Sequence, residues 1–206
     1  MYVNIHNMVE ADPRASGASP RERMVVSAAL LIRERGAHPT AIADVLEHSG
    51  APRGSAYHYF PGGRTQLLCE AVDYAGDYVA AKIARGPAGL DVLDALMQSY
   101  REQLIRSDYR AGCPIVAVAV EAGVPDNPNP VAERAAKVFS RWTELITTRL
   151  VTDGITAVRA AELAMLITAS IEGAIVVARA SRDVSPLDTV HRELRALLRK
   201  ELGDDG

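Results

Sequence analysis

The sequence predicts an all-α protein of about nine helices, and three observations carry that expectation. Apolar residues recur at three- and four-residue spacing over long stretches. Pro at first helical positions and Gly just past helix ends punctuate the chain. No stretch reads as a strand with a partner to pair with. At 206 residues and 48% apolar, the chain suits one ordinary domain or a small domain fused to a larger one.

Residues 1–18 show no periodicity and carry Gly, Ser, Pro and scattered charges, the pattern of a mobile arm. A helix start follows. Ser19 is the N-cap, Pro20 takes the first helical position and Glu22 completes a capping box. Val25, Ala28, Ala29 and Ile32 form its apolar stripe, and Gly36 ends it. Thr40 is the next N-cap candidate, with Ile42, Val45 and Leu46 on the apolar face and Gly50 as the stop. Pro52 opens a third helix, which Pro61-Gly62-Gly63 breaks. The fourth helix spans roughly Arg64 to Ile83, burying Leu67, Leu68, Ala71, Val72, Ala75 and Val79, and Gly86-Pro87 closes it.

Leu90 to Arg106 reads as a fifth helix. The stretch "GCPIVAVAVEAG", Gly112 to Gly123, has alternating β-branched residues that suit a buried strand. Pro114 in a first-turn position and the lack of a strand partner favour a buried helix. "PDNPNP", Pro125 to Pro130, is a turn-rich loop. Helices follow over Val131–Val151, Ala157–Ala180 and Pro186–Leu202. Leu163 to Ala178 is apolar almost all round, interrupted by Glu172, and such a helix must bury both sides.

The net charge of −3 excludes a uniformly basic nucleic-acid coat but not a local patch. Two cysteines, Cys69 and Cys113, make no disulfide framework. No signal-peptide pattern is present, and the uncharged pieces on either side of Glu172 are too short for a bilayer. These features lead to the expectation of a soluble, cytoplasmic protein with no membrane partner. His48 and His58 have no companions at metal-ligand spacing, so no metal is expected. No catalytic set rises above chance, so the chain is expected to be no enzyme and to use no cofactor.

Three short helices before a long one, with Ser49-Gly50 at a tight turn between the second and third, form a helix-turn-helix arrangement. The window from Gly50 to Arg64, "GAPRGSAYHYFPGGR", holds no Asp or Glu. A helix of eight or so residues cannot bury Arg53, Ser55, Tyr57, His58 and Tyr59 together. They therefore supply donors and flat faces to a phosphate or a base edge. Gly54 lets a backbone come close to a partner. The rival, a nucleotide-binding loop, needs G-x-x-x-x-G-K-[ST] after a strand. Ending that pattern at Thr65 puts Arg64 in place of the Lys and His58 in place of the first Gly.

"TAIADVLEHSGAPRGSAYHYFPGGR" resembles the DNA-binding segment of TetR-type transcriptional regulators, with Thr40, Asp44, Val45, Ser49-Gly50, Gly54, Tyr57, Tyr59 and Phe60 in register. Together with "GCPIVAVAVEA" and "IEGAIVVARA", it resembles the LmrA/YxaF-like branch, over about Ser19 to Leu202. Three positions depart from the family pattern. Ala56 stands where Leu is common, Arg64 where Lys is usual, and Pro52 where a Ser often caps the helix. By resemblance, Thr40, Tyr57, His58 or Tyr59, and Arg64 hold the DNA backbone, while Arg53, Gly54 and Ser55 face base edges.

The expected organisation is an arm over 1–18, a helix-turn-helix DNA-binding head over 19–64, and an effector-binding and dimerisation domain over 65–206. The resemblance implies a homodimer through the last two helices, binding a pseudo-palindromic double-stranded DNA operator. Candidate interface residues are Ala169, Gly173, Ala174, Leu194, Leu197 and Leu198. A small apolar or aromatic effector would release the operator. Met97, Tyr100, Leu104, Ile115, Val118, Phe139, Trp142 and Met165 could line its cavity or belong to ordinary core. Glu172 could bond that ligand, bridge a dimer or point outwards. Cys113 could sense thiol chemistry or simply be small and buried. The alternative is a helical protein that sequesters or carries a small molecule and never touches DNA.

Overall fold

A computed structural model describes residues 17–85, 89–121 and 129–203. Residues 1–16 of the arm expected over 1–18, the Gly86-Pro87 stop and most of the 125–130 loop lie outside the described residues. Among those described there are nine helices and no strand. They are α1 (Pro20–Arg35), α2 (Ile42–Ser49), α3 (Ala56–Tyr59), α4 (Gly63–Arg85), α5 (Gly89–Arg106), α6 (Pro114–Val120), α7 (Pro130–Thr152), α8 (Ala157–Ser181) and α9 (Ser185–Leu202). Within the ambiguous "GCPIVAVAVEAG", Pro114–Val120 is thus a helix, with Cys113 at its N-cap and Pro114 at its first position.

By packing, the chain forms two compact units. Of the described residues, one unit takes those up to Tyr78 and those within Cys113–Val138, and the other takes those within Val79–Gly112 and those from Phe139 on. This division falls within α4 and α7, whereas the sequence reading places a boundary after residue 64. The difference arises because α6 packs on α1, and because Leu67, Leu68, Ala71 and Val72 of α4 are buried.

In the first unit, α1 begins as its sequence dictates. The Glu22 amide donates to Ser19 Oγ at 3.2 Å and the Ser19 amide donates to Glu22 Oε2 at 2.8 Å. Two expectations need correction here. Thr40 is not the N-cap of α2. Ala41 takes that place, and its amide is capped by Asp44 Oδ2 at 3.1 Å, while Arg35 pairs with the same oxygen at 2.6 Å. Nor does Pro52 open α3. The Ser55 amide and hydroxyl both donate to the Pro52 carbonyl, at 2.9 and 2.7 Å, closing a turn over residues 52–55. The helix then starts only at Ala56. Gly50 ends α2 at φ +63, the left-handed conformation that a glycine adopts without strain.

In the second unit, α8 packs against α9 and α5, and α5 against α9. Asp94 of α5 accepts from both His191, at 2.7 Å, and Arg195 of α9. Arg101 pairs with Asp188 at 3.1 Å. Arg159 reaches Glu201 at 2.6 Å and Glu162 at 3.0 Å, and its guanidinium holds the Glu201 carboxyl below the usual carboxylate range. One side of α8 (Leu163, Ala164, Ile167, Ile171, Ile175) is buried, while Val158, Met165, Leu166, Val176 and Val177 stand exposed. By length and composition α8 is able to cross a membrane, at a mean hydropathy of 1.8, although the sequence reading takes Glu172 to divide it. A helix buried along one side in a protein core meets the same criterion.

Candidate nucleic-acid interface

The head's outer surface follows from how α3 is seated. Ala56 and Phe60 point inwards and are fully buried. Arg21 covers the Phe60 ring, its guanidinium carbon 5.2 Å from the ring centroid, and is itself held by both oxygens of Glu70. With the seat on one side, the remaining positions face out. Tyr57 is 72% exposed. Arg53, Gly54 and His58 are exposed as well, and Tyr59 is half-buried, its ring edge-on to His58 at 5.1 Å. Ser55 is half-buried, and its hydroxyl closes the Pro52 turn. The turn and the short helix thus present an arginine, backbone and two aromatic rings across a window without a carboxylate.

Two of the expected DNA contacts lie elsewhere. Thr40 is fully buried and its hydroxyl donates to the Gly36 carbonyl at 2.7 Å, so its side chain does not reach the surface. Arg64 turns its guanidinium onto the chain between α1 and α2. Its Nε donates to Thr40 O at 2.8 Å, and Nη2 donates to His38 O at 2.9 Å and to Ala37 O. Carbonyl oxygens thus occupy the Nε and Nη2 donors, the pair that grips a phosphate side-on.

The expected effector residues do not converge. Phe139, Met165 and Glu172 line one groove between α7 and α8, about 780 Å³ in volume, with a row of threonines (Thr143, Thr147, Thr148, Thr168) along it. Glu172 is buried in that wall and does not point outwards. Trp142, Met97 and Leu104 are core residues, and Tyr100 is half-buried. Ile115 and Val118 are buried on α6, in the unit that holds the head. A small cavity among Ile83, Leu93, Leu96, Leu150, Ile167 and Leu198 holds only about 30 Å³.

Among the expected dimer residues, Ala169, Gly173 and Ala174 line a second groove, between α8 and α9. Leu194 and Leu198 do not face outwards. They are 4% and 1% exposed and fill the unit's own core, while Leu197 is half-buried. The exposed Val176 and Val177, missed from sequence, continue the apolar surface of α8. Their signal is the helix's all-round apolarity, which does not say which side is taken.

Cys113 is buried, and Cys69 is half-buried with its thiol pushed up by that burial. Among the described residues no group of His, Cys, Asp and Glu could hold a metal ion.

Comparison with known proteins covers both units. The family model of bacterial regulatory proteins, tetR family, matches residues 25–71, and that of the transcriptional regulator LmrA/YxaF-like C-terminal domain matches residues 90–193. An uncharacterized HTH-type transcriptional regulator of Mycobacterium tuberculosis is 66% identical over 186 residues, covering 89% of this chain and 96% of the relative. The HTH-type transcriptional regulator LmrA of Bacillus subtilis is 28% identical over 173 residues, 81% of this chain and 90% of its own. A TetR transcriptional regulator from Chloroflexus aurantiacus superposes with a TM-score of 0.69 at 30% identity, covering 88% of this chain and 95% of that one. A TetR transcriptional regulator from Legionella pneumophila gives 0.75 at 19% identity over 89% and 99%, a likeness of fold.

Proposed function

Because the chain belongs to the TetR family of helix-turn-helix transcriptional regulators, with an LmrA/YxaF-like C-terminal domain, we propose that it is a homodimeric repressor that releases its operator on binding a small effector. The family is one of DNA-binding regulators, not enzymes. The observation that carries the finer reading is the outward face of residues 52–59, free of carboxylates and seated on Ala56 and Phe60. In this reading Arg53, Gly54 and Ser55 approach base edges, and Tyr57, His58 and Tyr59 approach the phosphate backbone. Thr40 and Arg64 serve from inside the head.

The exposed apolar side of α8 supports self-association, since Val176, Val177, Ala169 and Gly173 offer a second chain a surface of modest side chains. A two-fold dimer presents two α3 helices to successive major grooves of a pseudo-palindrome. The groove between α7 and α8 has the size of a small-molecule site. An effector that prefers one of two dimer conformations there shifts the population away from the DNA-binding one. Such a regulator works in the cytoplasm, where its DNA is.

The test is fluorescence anisotropy at low salt, with duplexes covering the DNA that flanks its own gene. Specific binding to a fragment with two half-sites is expected. Binding to none of them would favour the reading of a small-molecule carrier.

A further inference from the structure

One peptide unit in the head is gripped at both ends by opposite charges. The peptide joining Ala37 to His38 lies between α1 and α2. Its oxygen accepts from the Arg64 guanidinium of α4 and from the Thr40 amide at 3.0 Å. Its N–H donates to Glu121 Oε2 at 2.7 Å. Glu121 is the C-cap residue of α6, far along the chain in the unit that also holds the head. A cation on the carbonyl and an anion on the amide both align with the peptide dipole, so the two interactions reinforce each other through it.

The notch that admits the carboxylate is made by Gly36. A Cβ at that position would stand 2.0 Å from Glu121 Oε1, an overlap, so a residue with a side chain displaces the carboxylate. Gly36 also has φ +90, a conformation that L side chains rarely adopt. The carbonyls of Gly36, His38 and Thr40 are taken by the Thr40 hydroxyl and Arg64. Side chains from α4 and α6, rather than secondary structure, therefore fix the backbone that leads into α2.

We propose that Glu121 is a positioning residue for DNA recognition. By holding the Ala37–His38 peptide against Arg64, it locks the α2–α3 pair to α6, and so fixes the angle at which each head of the dimer enters its groove. The role rests on the DNA-binding reading above. It makes a specific demand: with the latch open, a head still binds a half-site, but the dimer no longer insists on one spacing between half-sites.

The experiment begins with a duplex selected from a random-sequence pool by the full-length wild-type chain, and with copies carrying one base pair inserted or deleted at its centre. Affinities of wild type, Glu121→Ala and Glu121→Gln for these duplexes are measured with melting temperatures. Wild type should discriminate against the altered spacings. Glu121→Ala should lose about tenfold or more of that discrimination, the scale of one charge-assisted hydrogen bond. Glu121→Gln keeps an acceptor oxygen in nearly the same volume and should recover part of it. Equal weakening of every duplex by Glu121→Ala, with the spacing ratio unchanged, would make Glu121 a packing residue only and overturn the latch. Selection of no duplex by the wild type would instead overturn the DNA-binding reading, and the latch's role with it.

Discussion

Both packing units carry surface ion pairs, Arg21–Glu70 and Arg35–Asp44 in the first and Arg159–Glu201 in the second, and they differ in what else they leave outside. In the unit with the head, polar side chains are spent inside: Thr40, Arg64, Glu121 and Ser55 all bond to backbone and set turns. Its outer face is left to Arg53, Tyr57 and His58. In the other unit, ion pairs such as Arg159–Glu201 and Arg101–Asp188 decorate the surface, while apolar residues of α8 are left outside. The difference teaches where a second molecule is met. The first surface suits a polyanion, and the second suits another apolar surface.

Substitutions that exchange these characters should break each region in its own way. The largest effect is expected on the apolar side. Val177→Asp places a charge on the exposed face of α8. Sedimentation should show monomers, and operator affinity should fall by up to about ten-thousandfold, roughly 5.5 kcal/mol, through lost bivalency. An unchanged dimer would move the interface off this face. Next comes Phe60→Ala, which removes a fully buried ring beneath α3. A cost of about 3–5 kcal/mol in denaturant unfolding is expected, with loss of DNA binding following from loss of the head.

Arg53→Ala should leave the melting temperature alone and cost about 1–3 kcal/mol of discrimination at one operator position, read by competition with base-substituted duplexes. The smallest effect concerns the cap of α1. The Glu22 carboxyl lies below its usual value of 4.5, chiefly because the Ser19 amide donates to it. Its folded pKa is thus lower than the unfolded one. The associated stability is present above the unfolded value and is lost as pH falls through the folded value. Glu22→Gln should cost about 0.3–1 kcal/mol near neutral pH, the scale of a solvent-screened charge at a helix N-terminus, and the gap to wild type should close in acid, as urea titrations at several pH values would show.

How much was legible follows the same division. The capping box of Ser19 and Glu22, the Gly50 stop and the outward placing of Arg53, Gly54, Tyr57 and His58 are local features, and local residues decide them. The start of α3 was misplaced because a proline serves equally as a first helical residue or as the first residue of a turn, and only the Ser55 hydrogen bonds to Pro52 choose the turn. The role of Arg64 was not legible because its acceptors lie 24 to 27 residues upstream. In the second unit, the apolar period of α8 and α9 identifies helices but not which side is core. Leu194 and Leu198 were therefore placed outside, while Val176 and Val177 were overlooked. Phe139, Met165 and Glu172 do share a groove, but nothing in their spacing separated them from Trp142, which is core.

The central claim is that the Arg53 face meets DNA while Arg64 serves from within. The salt dependence of binding tests it most directly. With the selected duplex, the logarithm of the wild-type affinity should fall linearly with the logarithm of salt concentration. Tyr57→Phe and Arg64→Ala should keep that slope, the second at a lower affinity and a lower melting temperature. Arg53→Ala should lose discrimination at one operator position, as its approach to a base edge requires. A slope reduced by Arg64→Ala together with discrimination untouched by Arg53→Ala, or an affinity indifferent to salt, would contradict the account.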